Sequence, residues 1–164
     1  MMTPLRPTLT STVRTRCKPS TIWGVYESLK WESFNATVTS VKPNTSGSNT
    51  SGSTKLSIGM PIDISTSKPS FSGSTFLESC FKDQQSNGAI TYTLNLNPLA
   101  SMTQTYKIET IKGGETEVTH GVRYDGMLKK MYEGSVAESE LRESVENIIR
   151  QAEELEKANL GTSS

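Results

Sequence analysis

Residues 115–155, ETEVTHGVRYDGMLKKMYEGSVAESELRESVENIIRQAEEL, change their hydrophobic period midway, and this change decides the fold. Apolar and polar residues alternate over residues 115–124, which predicts a strand with one buried face. Four residues share that face: Val118, His120, Val122 and Tyr124. The alternation ends at Asp125-Gly126, a pair of residues typical of a turn.

The second part of this stretch predicts a long helix. From Leu141 onward, apolar residues recur every three or four positions, while Glu and Arg occupy the other positions. Ser135 and Glu138 have the spacing of a capping box, and Gly161 suits the end of the helix. We therefore expect one amphipathic helix that buries a single face.

The two preceding segments, residues 89–96 and 101–111, alternate in the same way. Their predicted inner faces carry Ile90, Tyr92, Leu94, Leu96, Met102, Gln104, Tyr106 and Ile108. Further strands are predicted over residues 8–17, 36–43, 55–65 and 73–82, and residues 55–65 alternate cleanly. The strands and the turns between them predict an antiparallel sheet.

Two short helices are predicted after the first strand. Pro19 suits the first turn of a helix over residues 19–28, and residues 29–35 form a second helical turn or short helix that carries Trp31 and Phe34. A sheet with one apolar face must close on the long helix to bury it. The predicted class is therefore α+β, with a curved antiparallel sheet of about six or seven strands around a long C-terminal helix. We expect a single domain over residues 1–164, with a flexible loop at 44–54 and disordered tails at 1–6 and 160–164.

Composition limits the classes of function. The 17 basic and 17 acidic residues balance, which disfavours a nucleic-acid partner. No apolar run is long enough to span a bilayer and no secretion signal is evident, so we expect no membrane insertion and a cytoplasmic location. Cys17 and Cys80 lack the spacing of metal ligands. They could form a disulfide, but two free thiols suit an intracellular setting better.

The element order and several local motifs resemble those of the START/Bet v 1-like superfamily, also called SRPBCC or the polyketide cyclase/dehydrase and lipid-transport clan. The motifs are Lys18-Pro-Ser-Thr-Ile-Trp23, the segment from Trp31 to Val38, Leu56-Ser-Ile-Gly59, Gly113-Gly114 and the strand at Thr116–Gly126. The resemblance covers about residues 8–160. It implies the helix-grip fold, with an apolar cavity between the sheet and the long helix. Members carry lipids, hormones or pigments, or they cyclise, dehydrate or isomerise a ligand in that cavity. No catalytic motif is common to the superfamily.

His120 is the leading catalytic candidate, because it is the only histidine and lies on an apolar strand face. An imidazole can act as a general acid or base, although a core histidine satisfied by a neighbouring hydroxyl would give the same pattern. Tyr92 and Tyr106 are the other catalytic candidates, because a buried phenol can polarise a carbonyl. They could equally be core residues.

The substrate-binding candidates complete the predicted cavity. Gln104 and Tyr124 share the inward faces, Glu78 points inward in one of two equally good phases of its strand, and Arg123 is expected near the cavity mouth with Asp125. Trp31 and Phe34 are candidates for a lid. The predicted cavity wall comprises Met60, Ile62, Leu94, Met102 and Val122.

These residues predict a cofactor-free, metal-free enzyme of secondary metabolism, a cyclase, dehydratase or isomerase acting on an apolar polyketide- or terpenoid-like substrate. The alternative is a non-catalytic carrier of a lipid-like or other hydrophobic ligand. A filled interior would instead favour a module that binds partners through its long acidic helix. We expect a monomer or a homodimer.

Overall fold

A computed structural model describes residues 9–43, 56–83 and 87–162. The predicted loop at 44–54 and the tail at 1–6 lie outside these residues. The strands are β1 (Leu9–Thr15), β2 (Val38–Pro43), β3 (Pro61–Ser67), β4 (Ser70–Lys82), β5 (Gly88–Asn97), β6 (Ala100–Thr110) and β7 (Thr116–Asp125). The helices are α1 (Pro19–Glu27), a 3-10 helix at Trp31–Ser33, a second 3-10 helix at Lys129–Met131, and α2 (Glu138–Thr162).

The strands form one antiparallel sheet of seven in the order β1-β7-β6-β5-β4-β3-β2. β1 therefore pairs with the last strand of the chain, and this brings α1 close to α2. The sheet curves around α2, which confirms the predicted α+β class and the helix-grip fold. The second predicted short helix is a single 3-10 turn at Trp31–Ser33.

Strands β5, β6 and β7 bury alternate residues, as their sequence predicts. The register aligns these buried residues across the strands. Tyr92 faces Gln104, and Tyr106 faces His120. Four polar side chains thus share the inner face of three neighbouring strands.

The helix α2 lies against β1, β7 and α1. Its buried face carries Leu141, Ser144, Val145, Ile148, Ile149 and Ala152. The predicted capping box at Ser135 and Glu138 is wrong: the Ala137 N–H donates to the Glu140 carboxylate (3.1 Å), and the Ala137 carbonyl accepts the first helical hydrogen bonds. Residues 160–162, predicted as part of a tail, are helical, because a formed helix gains one hydrogen bond per added residue and a glycine costs only about 1 kcal/mol.

Two strand predictions require correction. Residues 57–60 form a turn rather than the start of a strand, with Gly59 at φ +82°, and Ile58 is consequently exposed. In β4, Leu77 pairs with the inward-facing Tyr92 and is itself buried. Glu78 therefore lies on the exposed outer face and does not line the interior.

Cys17 and Cys80 are free thiols, and burial raises the pKa of each. Among the described residues, neither helix is at once long and apolar enough to cross a lipid bilayer.

Candidate functional site

Six rings meet between the inner sheet face and the helical elements, and we call them the aromatic cluster: Tyr26, Trp31, Phe34, Tyr92, Tyr106 and His120. Tyr106 lies at its centre. Its ring centroid is 4.6 Å from that of His120, 5.3 Å from Tyr26 and 5.4 Å from Trp31. The other two rings, those of Phe34 and Tyr92, both lie at 5.8 Å. The cluster occupies the region where the resemblance implied a ligand cavity.

His120 connects both helices to the sheet. Its Nε2 atom lies 2.8 Å from the Tyr26 hydroxyl, and its Nδ1 atom lies 2.9 Å from the Ser144 hydroxyl on α2. The ring is 1% exposed, and burial lowers its pKa from 6.5 to about 3. The imidazole is therefore neutral near pH 7, with one nitrogen donating and the other accepting a hydrogen bond.

The second polar group joins two phenols to two amides. The Tyr92 hydroxyl lies 2.7 Å from the Tyr106 hydroxyl and donates to Gln104 Oε1, also at 2.7 Å. Asn35 Nδ2 donates to Gln104 Oε1 (3.3 Å) and to the Tyr106 hydroxyl (3.1 Å). Burial raises the pKa of Tyr92 and raises that of Tyr106 to about 12, so both phenols stay protonated at neutral pH.

These polar groups satisfy one another. Within the described residues, every buried side-chain nitrogen and oxygen has a hydrogen-bond partner. Such complete pairing offsets the cost of burying them without water. In this state no partner remains vacant for a ligand at the cluster.

Residues 28–35, which we call the closing segment, carry two rings of the aromatic cluster, Trp31 and Phe34, which pack against the other four. Ser33 and Phe34 hold this segment to α2 through their carbonyls, which accept from Gln151 Nε2 (3.1 Å) and Asn147 Nδ2 (3.3 Å). The Trp31 indole donates to the Tyr26 carbonyl at 2.9 Å. Leu29, at the start of the segment, has φ +58°, a left-handed conformation that is unfavourable for a leucine.

The structure brings most of the predicted site residues together. His120, Tyr92, Tyr106, Gln104, Trp31 and Phe34 all belong to, or touch, the aromatic cluster. The predicted wall residues Ile62, Leu94, Met102 and Val122 are buried in the same core, while Met60 is half-buried. Tyr124 is buried too, but its hydroxyl pairs with Ser135 (2.9 Å) rather than with the cluster.

Two predicted binding residues lie away from the interior. Glu78 is on the outer face of β4, as described above. Arg123 is on the outer face of β7, where its Nε donates to both carboxylate oxygens of Asp125 at 3.0 Å. Because β7 alternates strictly here, the residue between the inward Val122 and Tyr124 has to point outward.

Sequence reasoning missed three members of this network: Tyr26, Asn35 and Ser144. A pattern was available for Ser144, because this hydroxyl occupies a position on the apolar face of α2 between Leu141 and Val145. Asn35 follows the 3-10 helix, and its side-chain oxygen also accepts from the Thr37 backbone N–H at 3.1 Å. The turn that directs the Asn35 amide towards Tyr106 leaves no periodic pattern in the sequence.

Among the described residues, two of the surface concavities lie away from the aromatic cluster. One of about 390 Å³ lies over the outer face of β2–β4, beside Lys42 and Asp63. Another of about 300 Å³ adjoins Leu99 and Met127 at the β5–β6 connection. Neither is lined by a ring of the cluster.

Comparison with known proteins establishes the fold. No family model and no curated protein matches the sequence. Among solved structures, a hypothetical protein from Helicobacter pylori superposes with a TM-score of 0.69 at 8% identity, covering 88% of this chain and 86% of the other. A START superfamily protein from Mycobacterium smegmatis gives 0.59 at 12% identity, covering 90% and 97%. Norcoclaurine synthase from Thalictrum flavum gives 0.59 at 11% identity, covering 90% and 94%.

The chain is thus a helix-grip protein of START/Bet v 1-like architecture. The fold of these solved structures is shared by a synthase and by proteins with no named activity.

Proposed function

We propose that this protein binds an uncharged, ring-containing small molecule between the sheet and α2, without a cofactor. The observation that carries the proposal is the aromatic cluster beneath a closing segment that the neutral side chains of Asn147 and Gln151 attach to α2 by hydrogen bonds. A ligand would enter by displacing that segment. The rings and paired hydroxyls beneath it would then form its site.

The chemistry of the cluster defines the ligand. Trp31 stacks on Tyr92 with centroids 5.3 Å apart and planes 21° apart, so a flat bicyclic ring could replace the indole. A hydroxyl or carbonyl on that ring could replace the Asn35 amide as a partner of Tyr106 or Gln104. A charged ligand would lose its hydration without finding an opposite charge among the side chains of the cluster.

A calorimetric titration with 2-naphthol tests this proposal, because 2-naphthol has a ring of indole size and one hydroxyl. We expect saturable one-to-one binding, and weaker binding of the charged naphthalene-2-sulfonate. Trp31→Ala should bind 2-naphthol at least tenfold more tightly, because the ligand no longer has to displace the indole. Leu155→Ala removes an apolar side chain that is 48% exposed on α2, outside the cluster, and should leave the affinity of the wild type.

A double variant keeps the test decisive if Trp31→Ala fails to fold. Asn147→Ala/Gln151→Ala removes the two donors that hold the closing segment while leaving the rings intact. It should speed 2-naphthol association, whereas Arg142→Ala, an exposed change on the same helix, should not. If neither the wild type nor this double variant binds 2-naphthol saturably, the proposal is refuted.

A cofactor-free enzyme of the cyclase, dehydratase or isomerase type is the second candidate. The observation that favours it is the continuous chain from Tyr26 through His120 to Ser144, which could move a proton. However, a pKa of about 3 makes His120 a weak base at neutral pH, and this favours binding over catalysis in the closed state. The enzyme would be favoured if a bound ligand is converted to product over time. His120→Gln should then abolish product formation without loss of ligand binding.

A further inference from the structure

One edge of the molecule presents apolar side chains to solvent. Met127 is 85% exposed, Met131 71%, Leu99 46% and Leu128 37%. These four residues, with Lys129 and Lys130 between them in sequence, form what we call the docking edge. It lies on the β5–β6 connection and on the turn that follows β7, away from the aromatic cluster.

Backbone contacts hold the two connections of the docking edge together. The Leu128 N–H donates to the Leu99 carbonyl at 2.9 Å, which ties the two connections together. Gly126 has φ +101°, and a Cβ atom there would lie 2.2 Å from the same carbonyl oxygen. Only a glycine permits this approach, so the apolar side chains of both connections are held on one surface.

The charges of the docking edge are positive. Lys129 and Lys130 are exposed, and neither forms an ion pair with a carboxylate of the described residues. Asp125 is already paired with Arg123, which leaves Glu133 as the nearest unpaired acid in sequence. A second copy of the chain would bring like charges together at this edge, and this disfavours a dimer there.

From these features we infer that the docking edge adsorbs to an anionic lipid surface. Its lysines would meet the headgroups, while the Met and Leu side chains would enter the boundary of the acyl chains. The acidic residues Glu153, Glu154 and Glu156 occupy the other end of α2. At 1.5 Å per residue, Glu156 lies about 27 Å along the helix from its start at Glu138.

Co-sedimentation with vesicles tests the inference. We expect the protein to bind phosphatidylcholine vesicles that contain about 30% phosphatidylserine, with affinity falling as salt rises, and to bind pure phosphatidylcholine vesicles poorly. Lys129→Glu/Lys130→Glu should weaken binding at least tenfold. Met127→Ser/Met131→Ser should also weaken it, at unchanged charge.

The control is Lys112→Glu/Lys157→Glu, which makes the same charge change at exposed positions outside the edge. Equal binding to both kinds of vesicle, or an equal loss in this control, would overturn the inference. A dimer that analytical ultracentrifugation detects and that Met127→Ser/Met131→Ser dissociates would also overturn the inference. In that case the docking edge would contact a second copy of the chain. The vesicles carry no 2-naphthol, so the outcome is independent of the interior site.

Discussion

At the scale of single residues, His120 combines an ionisable ring with a fully enclosed position. Burial lowers its pKa to about 3, so its ring protons should show no titration between pH 5 and 8. The measurement is an NMR titration of the imidazole Cε1 proton. Its assignment needs no variant, because the chain has one histidine. A midpoint near 6.5 would mean that the ring reaches solvent, and would contradict the enclosed position.

The same residue links stability to pH. The pKa of His120 is lower in the folded chain than in the unfolded chain, where it is about 6.5. Its stabilisation is therefore complete above pH 6.5 and is lost as the pH falls towards 3, by about 1.4 kcal/mol per unit. Urea unfolding of the wild type and of His120→Gln at pH 7 and pH 5 measures this. Because carboxylates titrate in both proteins, the prediction fails if the two lose the same free energy of unfolding.

Sequence alternation located the inward polar residues of β5–β7 correctly, because a strand has only two faces. His120, Tyr106 and Gln104 each follow from that period. The period could not predict what these groups bond to, since Tyr26 and Ser144 come from helices whose docking depends on the whole fold. The sequence left the face of Glu78 open because both phases of β4 carry apolar residues, and the structure buries Leu77, which places Glu78 on the outer face.

At the scale of elements, the turns at Gly113 and Gly126 differ in the space that is available for a side chain. Gly126→Ala adds a methyl group at φ +101° and 2.2 Å from a backbone carbonyl oxygen. Gly113→Ala also adds a methyl group at a positive φ, +93°, but no other atom lies within 4 Å of the added Cβ atom. We expect Gly113→Ala to lower the free energy of unfolding by about 1–2 kcal/mol, and Gly126→Ala by about 3 kcal/mol or more. Chemical denaturation checks both, and equal losses would contradict the close approach at Leu99.

The elements themselves were largely predictable. The 3- and 4-residue steps of α2 indicated its buried face, because a helix that packs on a sheet must keep one apolar stripe. Its first turn was placed two residues early, because Ser135 and Glu138 have capping-box spacing while Glu140 supplies the contact to Ala137. The turn at 57–60 was missed because its residues continue the alternation of β3, and its backbone reverses at Gly59.

At the scale of the whole molecule, the filled interior sets a condition on ligand binding. Trp31 and Phe34 occupy the proposed site, so a ligand binds only the fraction of molecules in which the closing segment has opened. The apparent Kd is then the intrinsic Kd divided by that fraction. Variants that favour opening should tighten binding, whereas variants that only remove a contact to ligand should weaken it.

Hydrogen exchange measures the opening directly. Amides of β6 lie between two paired strands and should exchange only by global unfolding, whereas Phe34 and Asn35 in the closing segment should exchange through a smaller, local opening. Asn147→Ala/Gln151→Ala should speed exchange in the closing segment more than in β6, and saturating 2-naphthol should slow it again. Arg142→Ala should change neither rate. If the closing segment and β6 exchange with the same free energy in the wild type, the segment opens only when the whole molecule unfolds, and a ligand would have no separate route to the cluster.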